Sequence, residues 1–461
     1  MTHALLSGTV QRRRLLQLGA AAVFASPPAW AQQQQPATKP LAVAPIPLTR
    51  RVLPNGLELI AVPQAGYSVS VQVWYRVGGK DDPAGRSGFA HLFEHMMFKR
   101  TRYMADEQFD RMTEDVGGSN NAFTADDMTA FHSVVPANHL EPLLWAEAER
   151  MSNLQVDQGN FDSEREVVKE EYRQRVLAEP YGKLFNAISG YGYQKHPYRR
   201  PVIGSMEDLD AATLRDVQAF HDTYYRPDNA VLIVAGAFDP LQLDRWVDHY
   251  FGSIRQPREP VPRVNVPEPR RSTDALFTLT GPNVPLPAVL LIWQAPKAAS
   301  PDAPALQVAQ GLLSLGDSSR LNESLVYRMQ IAQSAGFDAM LNADAGLLVA
   351  NAIAAGEQKA QDLVEPLARE VQRLAEEPIA PAELDKVKAQ LLTAALVKRQ
   401  TPLGLGEAVG QAALLRGDAG WVNRDLAALQ AVTAADVQRV LRRDVLGAKR
   451  VTVLYESEAK S

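Results

Sequence analysis

Residues 209–218 (LDAATLRDVQ) return as residues 429–438 (LQAVTAADVQ), keeping Leu, Ala, Thr, Asp, Val and Gln at one offset of 220. The register holds into the next apolar run, where Val231 and Ile233 fall opposite Val451 and Val453. A helix-to-strand unit repeated without insertion over that distance constrains the chain to two related halves, each with a core of its own. The stretch 257–271, rich in proline and charge, has linker composition and divides two predicted domains, 49–256 and 272–457.

Within the first half, residues 51–62 (RVLPNGLELIAV) read as strand, Asn55-Gly56 turn and strand, and 69–77 alternates as another strand. Helical patterning covers 87–99, 138–152, 159–177 and 211–224, followed by a strand at 230–235. Hairpins mixed with helices predict an α+β fold: two homologous domains, each an antiparallel-rich sheet covered by helices, related by internal duplication.

The chain opens with a predicted signal peptide, 1–31. Arg12, Arg13 and Arg14 form a positive n-region, 15–25 is apolar but too short to span a bilayer comfortably, and Ala29-Trp30-Ala31 is an A-x-A-like cleavage site. Export to the periplasm, by the Sec or twin-arginine route, is the expectation, with no stable membrane insertion after cleavage. A flexible Gln/Pro-rich leader is expected at 32–48. Cleavage removes three arginines and no acid, taking the formal net charge from -5 to -8, which speaks against nucleic acid as a partner.

The sequence contains no cysteine, so disulfides, thiolate metal sites and cysteine nucleophiles are excluded, and any metal must be held by His, Asp or Glu. All eight histidines lie before the linker. The second half therefore has neither of zinc's nitrogen and sulfur ligands. In the first half, His91-Leu92-Phe93-Glu94-His95 places two imidazoles at i and i+4, on one face of a helix, with Glu94 beside a ligand. Two such histidines can hold one zinc ion, whose catalytic form needs a third protein ligand and an open position. Glu94 projects about 100° round the helix from His95, which argues against its being a fourth ligand in a closed site. The acidic run 164–171 (EREVVKEE) offers the third ligand on a predicted helix. Glu164 and Glu171, two turns apart, share a face, and spacing alone does not choose between them.

These residues, together with GFAHLFEHMMF (88–98), GGSNNAFT (117–124), EREVVKEE and YYRPDNAV (224–231), resemble the insulinase/pitrilysin family of inverted-motif zinc metallopeptidases. The resemblance covers nearly all of the chain after the signal segment. It is closest to the bacterial and mitochondrial-processing-peptidase-like branch of about 50 kDa. It implies one Zn²⁺ per chain held by His91, His95 and Glu171, with Glu94 as general base on zinc-bound water and Glu164 as the acid that supports the site without binding metal. It also implies that the glycine-led strand read at 117–129 is an exposed edge to which a peptide substrate adds as a further strand, contacting Asn121 and Ala122. His132 and His139 fit no metal spacing and read as structural, and His196, beside Pro197 and Tyr198, reads as a loop residue.

The second half departs from the family pattern. LGDSSRL (315–321) resembles the family's S-S-R-L signature, but where members that complete a site with this domain carry Arg and Tyr, this chain has Val326 and Gln333. Tyr327 and Arg328 lie just beyond the Arg position. The resemblance therefore implies a catalytic subunit whose homologous partner supplies Arg and Tyr across an enclosed, clam-like chamber, a heterodimer, with a homodimer as the competing assembly. A non-catalytic peptide-binding or scaffold subunit is the other function class.

Overall fold

The computed structural model describes residues 41–458. The predicted signal segment and the first part of the predicted leader lie outside the described residues. Residues 41–48 carry no regular structure, and Ile46 exchanges two backbone-to-side-chain hydrogen bonds with Asn423, at 2.7 and 3.0 Å.

The first sheet contains β1 (Thr49–Val52), β2 (Glu58–Pro63), β3 (Ser68–Tyr75), β4 (Ser119–Thr124), β5 (Thr129–Pro136) and β6 (Ala230–Gly236), in the order β1-β2-β6-β3-β5-β4. The second contains β7 (Ala275–Gly281), β8 (Ala288–Ala295), β9 (Ala332–Leu341), β10 (Gly346–Ala354) and β11 (Val451–Ser457), in the order β7-β11-β8-β10-β9. In each, the last strand inserts between a parallel neighbour (β2 or β7) and an antiparallel one (β3 or β8). The second sheet thus repeats the first without β1, and the fold is α+β with two related domains.

The 220-residue repeat has a local physical basis. Thr213 and Thr433 cap the helices Leu214–Tyr224 and Ala434–Leu441 through capping boxes with Asp216 and Asp436. Gln218 and Gln438 each donate from Nε2 to a backbone carbonyl, of Val156 and Glu377 respectively. The strands that follow, β6 and β11, lie inside their sheets; β6 is buried along its whole length and reads as a continuous apolar run (AVLIVAG), while β11 (VTVLYES) is buried from Val451 to Tyr455.

Each sheet has one face packed on its own helices and the other covered by the opposite half. Leu184 and Ile188, with Tyr193 and Tyr198, cover Leu290, Ile292, Leu347 and Val453 of the second sheet. In return the helix Pro402–Leu415 lays Leu405, Val409 and Ala413 on Ile60, Trp74, Val231 and Ile233 of the first. The 220 offset carries 184 to 404 and 188 to 408, so the halves exchange equivalent segments. Close approach depends on Gly410, where a Cβ would meet the buried Trp74 ring at 2.4 Å. The segment 257–271 has no regular secondary structure. It is tied down by Glu268, which accepts from the backbone of Gln194, Lys195 and His196, and by Arg263, which donates to Arg76 and Asn229.

Beyond small shifts at element ends, the structure differs from the sequence reading at three places. The helix expected at 211–224 is two, Met206–Ala211 and Leu214–Tyr224, because Thr213 turns its side chain to cap the second. The helix expected to run to 177 is regular only to Tyr172 and continues as a wider π-helical turn, Arg173–Ala178. The strand expected over 117–129 ends at Thr124, where the chain turns back into β5.

Candidate metal centre

The helix carrying the His91 motif spans Phe89–Met96. It starts late because Gly88 takes a left-handed φ of 92° and packs on residue 203, where a Cβ would approach the Ile203 carbonyl oxygen to 2.9 Å. No side chain at the N-cap position caps it. Asp82, buried six residues earlier, does so instead: its Oδ2 accepts from Gly88 N at 2.7 Å and its Oδ1 from Ala90 N at 2.8 Å.

On this helix the His91 and His95 rings stand 5.0 Å apart, nearly perpendicular at 87°. The facing helix Gln158–Tyr172 brings Glu164 and Glu171 to them. Glu171 Oε2 lies 3.6 Å from His91 Nε2 and 3.4 Å from His95 Nε2, while its Oε1 is held by Arg175 Nη1 at 2.6 Å. Glu164 approaches the other nitrogen of His95, with Oε2 3.4 Å from Nδ1, and its Oε1 is 2.6 Å from Lys99 Nζ. Glu170 turns away to Arg173 and Gln174. Geometry thus separates two carboxylates that spacing left equivalent: Glu171 faces both Nε2 atoms, and Glu164 fixes one ring from behind. Glu94 Oε2 accepts a hydrogen bond of 2.5 Å from Thr124 Oγ1, at the end of β4.

The charges fit this division. Burial drives the His91 imidazole down to about 4, keeping it neutral. Burial works against charge on His95 too, but hydrogen bonds to Glu164 and Glu171 overcome it and raise the ring to about 9. The hydrogen bond to His95 holds Glu171 below the usual carboxylate range. Burial would lift Glu164, yet His95 and Lys99 bring it below that range. Burial raises Glu94, against the Thr124 hydrogen bond.

The donor set suits zinc. One ligand atom each from His91, His95 and Glu171 lies within 4.8 Å of the others, and among the described residues no other group of three metal-ligating side chains does so. Tetrahedral zinc with bonds of about 2.0–2.1 Å sets its ligand atoms about 3.3–3.4 Å apart. The 3.4 and 3.6 Å separations here come close to that spacing.

Asn121 and Ala122 lie on β4, the outermost strand of the first sheet. Asn121 is exposed, and its Oδ1 accepts from the Ala122 backbone N–H at 2.8 Å. His132 is half-buried on β5, His139 precedes the helix Leu140–Asn153, and His196 is buried with its Nε2 3.5 Å from Asp344 of the second half. In the second half Val326 packs on the apolar core and Gln333 is exposed on the edge strand β9. Tyr327 is largely exposed, and Arg328 donates to Ser324 Oγ. Sequence reasoning did not single out Asp82, Lys99, Thr124 or Arg175. Arg175, at i+4 from Glu171 on a helical turn, was the one with a readable signal.

Asp82 offers a test by pH. Burial lifts its carboxyl to about 7, against the two backbone hydrogen bonds and above the ordinary value of 3.8. Between these values the folded chain binds more protons than the unfolded one. The group's contribution to stability is therefore full below about pH 4 and is lost as pH rises through about 7. The stability advantage of wild type over Asp82→Asn, measured by urea unfolding, is expected to shrink from pH 5 to pH 8. An advantage that does not change with pH contradicts this assignment.

Residues 60–206 match the family described as Insulinase (Peptidase family M16), and residues 211–391 match the Peptidase M16 inactive domain. The chain is 31% identical over 339 residues, 73% of its length and 76% of the relative's, to the zinc protease PqqE of Helicobacter pylori. It is 24% identical over 400 residues, covering 85% of this chain and 75% of the relative, to a probable mitochondrial-processing peptidase subunit beta of Arabidopsis thaliana. Its fold superimposes on the crystal structure of a protease from Helicobacter pylori with a TM-score of 0.87 at 27% identity, covering 90% of this chain and all of that one. With the inverted motif in the first matched half and an inactive-domain signature in the second, the chain belongs to the insulinase family, peptidase family M16.

Proposed function

We propose that the protein is a zinc metalloendopeptidase acting on peptides or unfolded polypeptides, the catalytic subunit of a two-subunit, clam-like enzyme. The observation that carries this reading is the convergence of His91 Nε2, His95 Nε2 and Glu171 Oε2 beside the half-buried carboxylate of Glu94. Zinc held by the three would supply a Lewis acid that acidifies water and polarises a peptide carbonyl. Glu94 takes the proton of the attacking water and passes it to the leaving amine. Thr124 orients Glu94 through the hydrogen bond to Oε2. Glu164 and Lys99 fix the ring and tautomer of His95, and Arg175 turns Glu171 so that Oε2 faces the histidines. The substrate lies along the free edge of β4 against Asn121 and Ala122, held by main-chain hydrogen bonds that grip any sequence.

Val326 and Gln333 supply neither a cation nor a phenol for a developing oxyanion, which favours a homologous partner that contributes Arg and Tyr; a homodimer is the competing assembly. The same absence is what favours the second reading, a non-catalytic peptide-binding subunit. We place the mature chain in the periplasm on its predicted signal segment; among the described residues no helix is long and apolar enough to cross a membrane. Stripping the mature chain, in its native assembly, with a chelator should abolish cleavage of a quenched-peptide library, and zinc should restore it. Cleavage that survives metal removal contradicts the proposal.

A further inference from the structure

Two hairpin turns, one from each half, meet in a charged cluster in which Asp127, His196 and Tyr198 are buried and Asp344 is exposed. The β4–β5 turn carries Asp126 and Asp127, and the β9–β10 turn carries Asn342, Ala343 and Asp344. Asn342 Nδ2 donates to Asp126 Oδ2, and Ala343 N to Asp127 Oδ2, both at 2.8 Å. Lys80 Nζ sits 2.8 Å from Asp127 Oδ1 and 2.8 Å from Asp344 Oδ2, bridging the halves. Tyr198 OH donates to Asp127 Oδ1 at 2.5 Å and accepts from Asp344 N at 3.1 Å. His196, whose ring centre lies 4.0 Å from that of Tyr198 at a tilt of 43°, completes the group with Nε2 3.5 Å from Asp344 Oδ2.

The cluster stands at the root of both arms that hold the candidate site. Two residues before Asp126, Thr124 donates to Glu94. The backbone of Gly79 and Lys80 is pinned to the same turn, donating to Ala125 O at 3.0 Å and Asp126 O at 3.1 Å. Two residues beyond Lys80, Asp82 caps the motif helix. There is no slack between these segments: a Cβ at Gly78 would lie 2.3 Å from Ala125 O. Asp127 and Tyr198 are buried, so their polar atoms have only these partners to satisfy them.

We infer that Asp344 and Lys80 are positioning residues: through Asp127 and the β4–β5 turn, the half without metal ligands sets where Thr124 and the motif helix hold Glu94. Its kinetic side rests on the peptidase reading above; its structural side does not. Hydrogen–deuterium exchange on the full mature chain tests the structural side. Asp344→Ala is expected to speed exchange about ten-fold in β4 and in the first turn of the motif helix, as a local opening that leaves the second sheet protected. Acceleration confined to the β9–β10 turn overturns the inference. Kinetics test the route. Asp344→Ala should lower kcat about ten-fold while KM moves less than about three-fold, and the loss should fall below about two-fold in a Thr124→Val background, since residues acting through one contact are not additive. Equal losses in both backgrounds overturn it. Where Asp344→Ala does not fold, Asp344→Asn and Lys80→Met carry both measurements. A wild-type chain that binds zinc yet cleaves no peptide counts against its acting without a partner, and the exchange result still decides the positioning role.

Discussion

Glu94→Gln is expected to lower kcat for peptide hydrolysis about 10³-fold, the middle of the range for loss of a general base. The substitution keeps the size of the side chain and its acceptor for Thr124 Oγ1, and it touches none of the atoms of His91, His95 or Glu171 that converge. Zinc content and thermal stability should therefore stay near wild type. What disappears is the capacity to take a proton from water and return it to the amine. Steady-state kinetics at equal zinc occupancy check this, and a loss smaller than about ten-fold would mean that another group does the proton transfer.

The second large effect separates the two acids of the facing helix. Glu171→Ala removes the carboxylate that faces both Nε2 atoms, and the purified variant should retain well under half of the zinc held by wild type after dialysis. Glu164→Gln leaves the donor trio intact and removes the negative charge behind His95 Nδ1. Its zinc affinity should fall only about 10–100-fold, the usual cost of an outer-shell change. Competitive titration against a chromophoric chelator measures both. Equal losses in the two variants, or a larger loss in Glu164→Gln, would reverse the assignment.

What the sequence made legible follows the range of the interactions involved. His91, Glu94 and His95 are set by one helix, so their common neighbourhood is a matter of i, i+3 and i+4 geometry that any reader of the chain can work out. The repeat was legible for the same reason: Thr213 with Asp216 and Thr433 with Asp436 are four-residue capping devices, and each precedes a central strand. Glu164 and Glu171 show where such reading stops. Both sit on the right face, and only the packing of one helix on another decides which carboxylate meets which nitrogen of His95.

Long-range features left no local mark. Asp82 lies outside the capped helix, and its role depends on the left-handed turn at Gly88 folding the chain back. Thr124 meets Glu94 only because β4 is the outermost strand and ends beside the motif helix. The exchange of covering segments between the halves was invisible because an apolar helix face does not say which sheet it will cover; 182–192 and 402–412 would have read the same had each stayed at home. The expected strand at 117–129 failed for a similar reason, since its polar turn, closed by Ala125 N to Met128 O, is also held by Lys80, Tyr198 and the second half.

The central claim is that His91, His95 and Glu171 hold zinc with Glu94 left free to act. Anomalous diffraction at the zinc edge, from crystals of the zinc-loaded mature chain, tests it most directly. The account predicts one dominant peak within bonding distance of His91 Nε2, His95 Nε2 and Glu171, a fourth position open to solvent, and the Glu94 carboxylate outside the coordination shell. A peak elsewhere, or a closed site with Glu94 as a ligand, would contradict it.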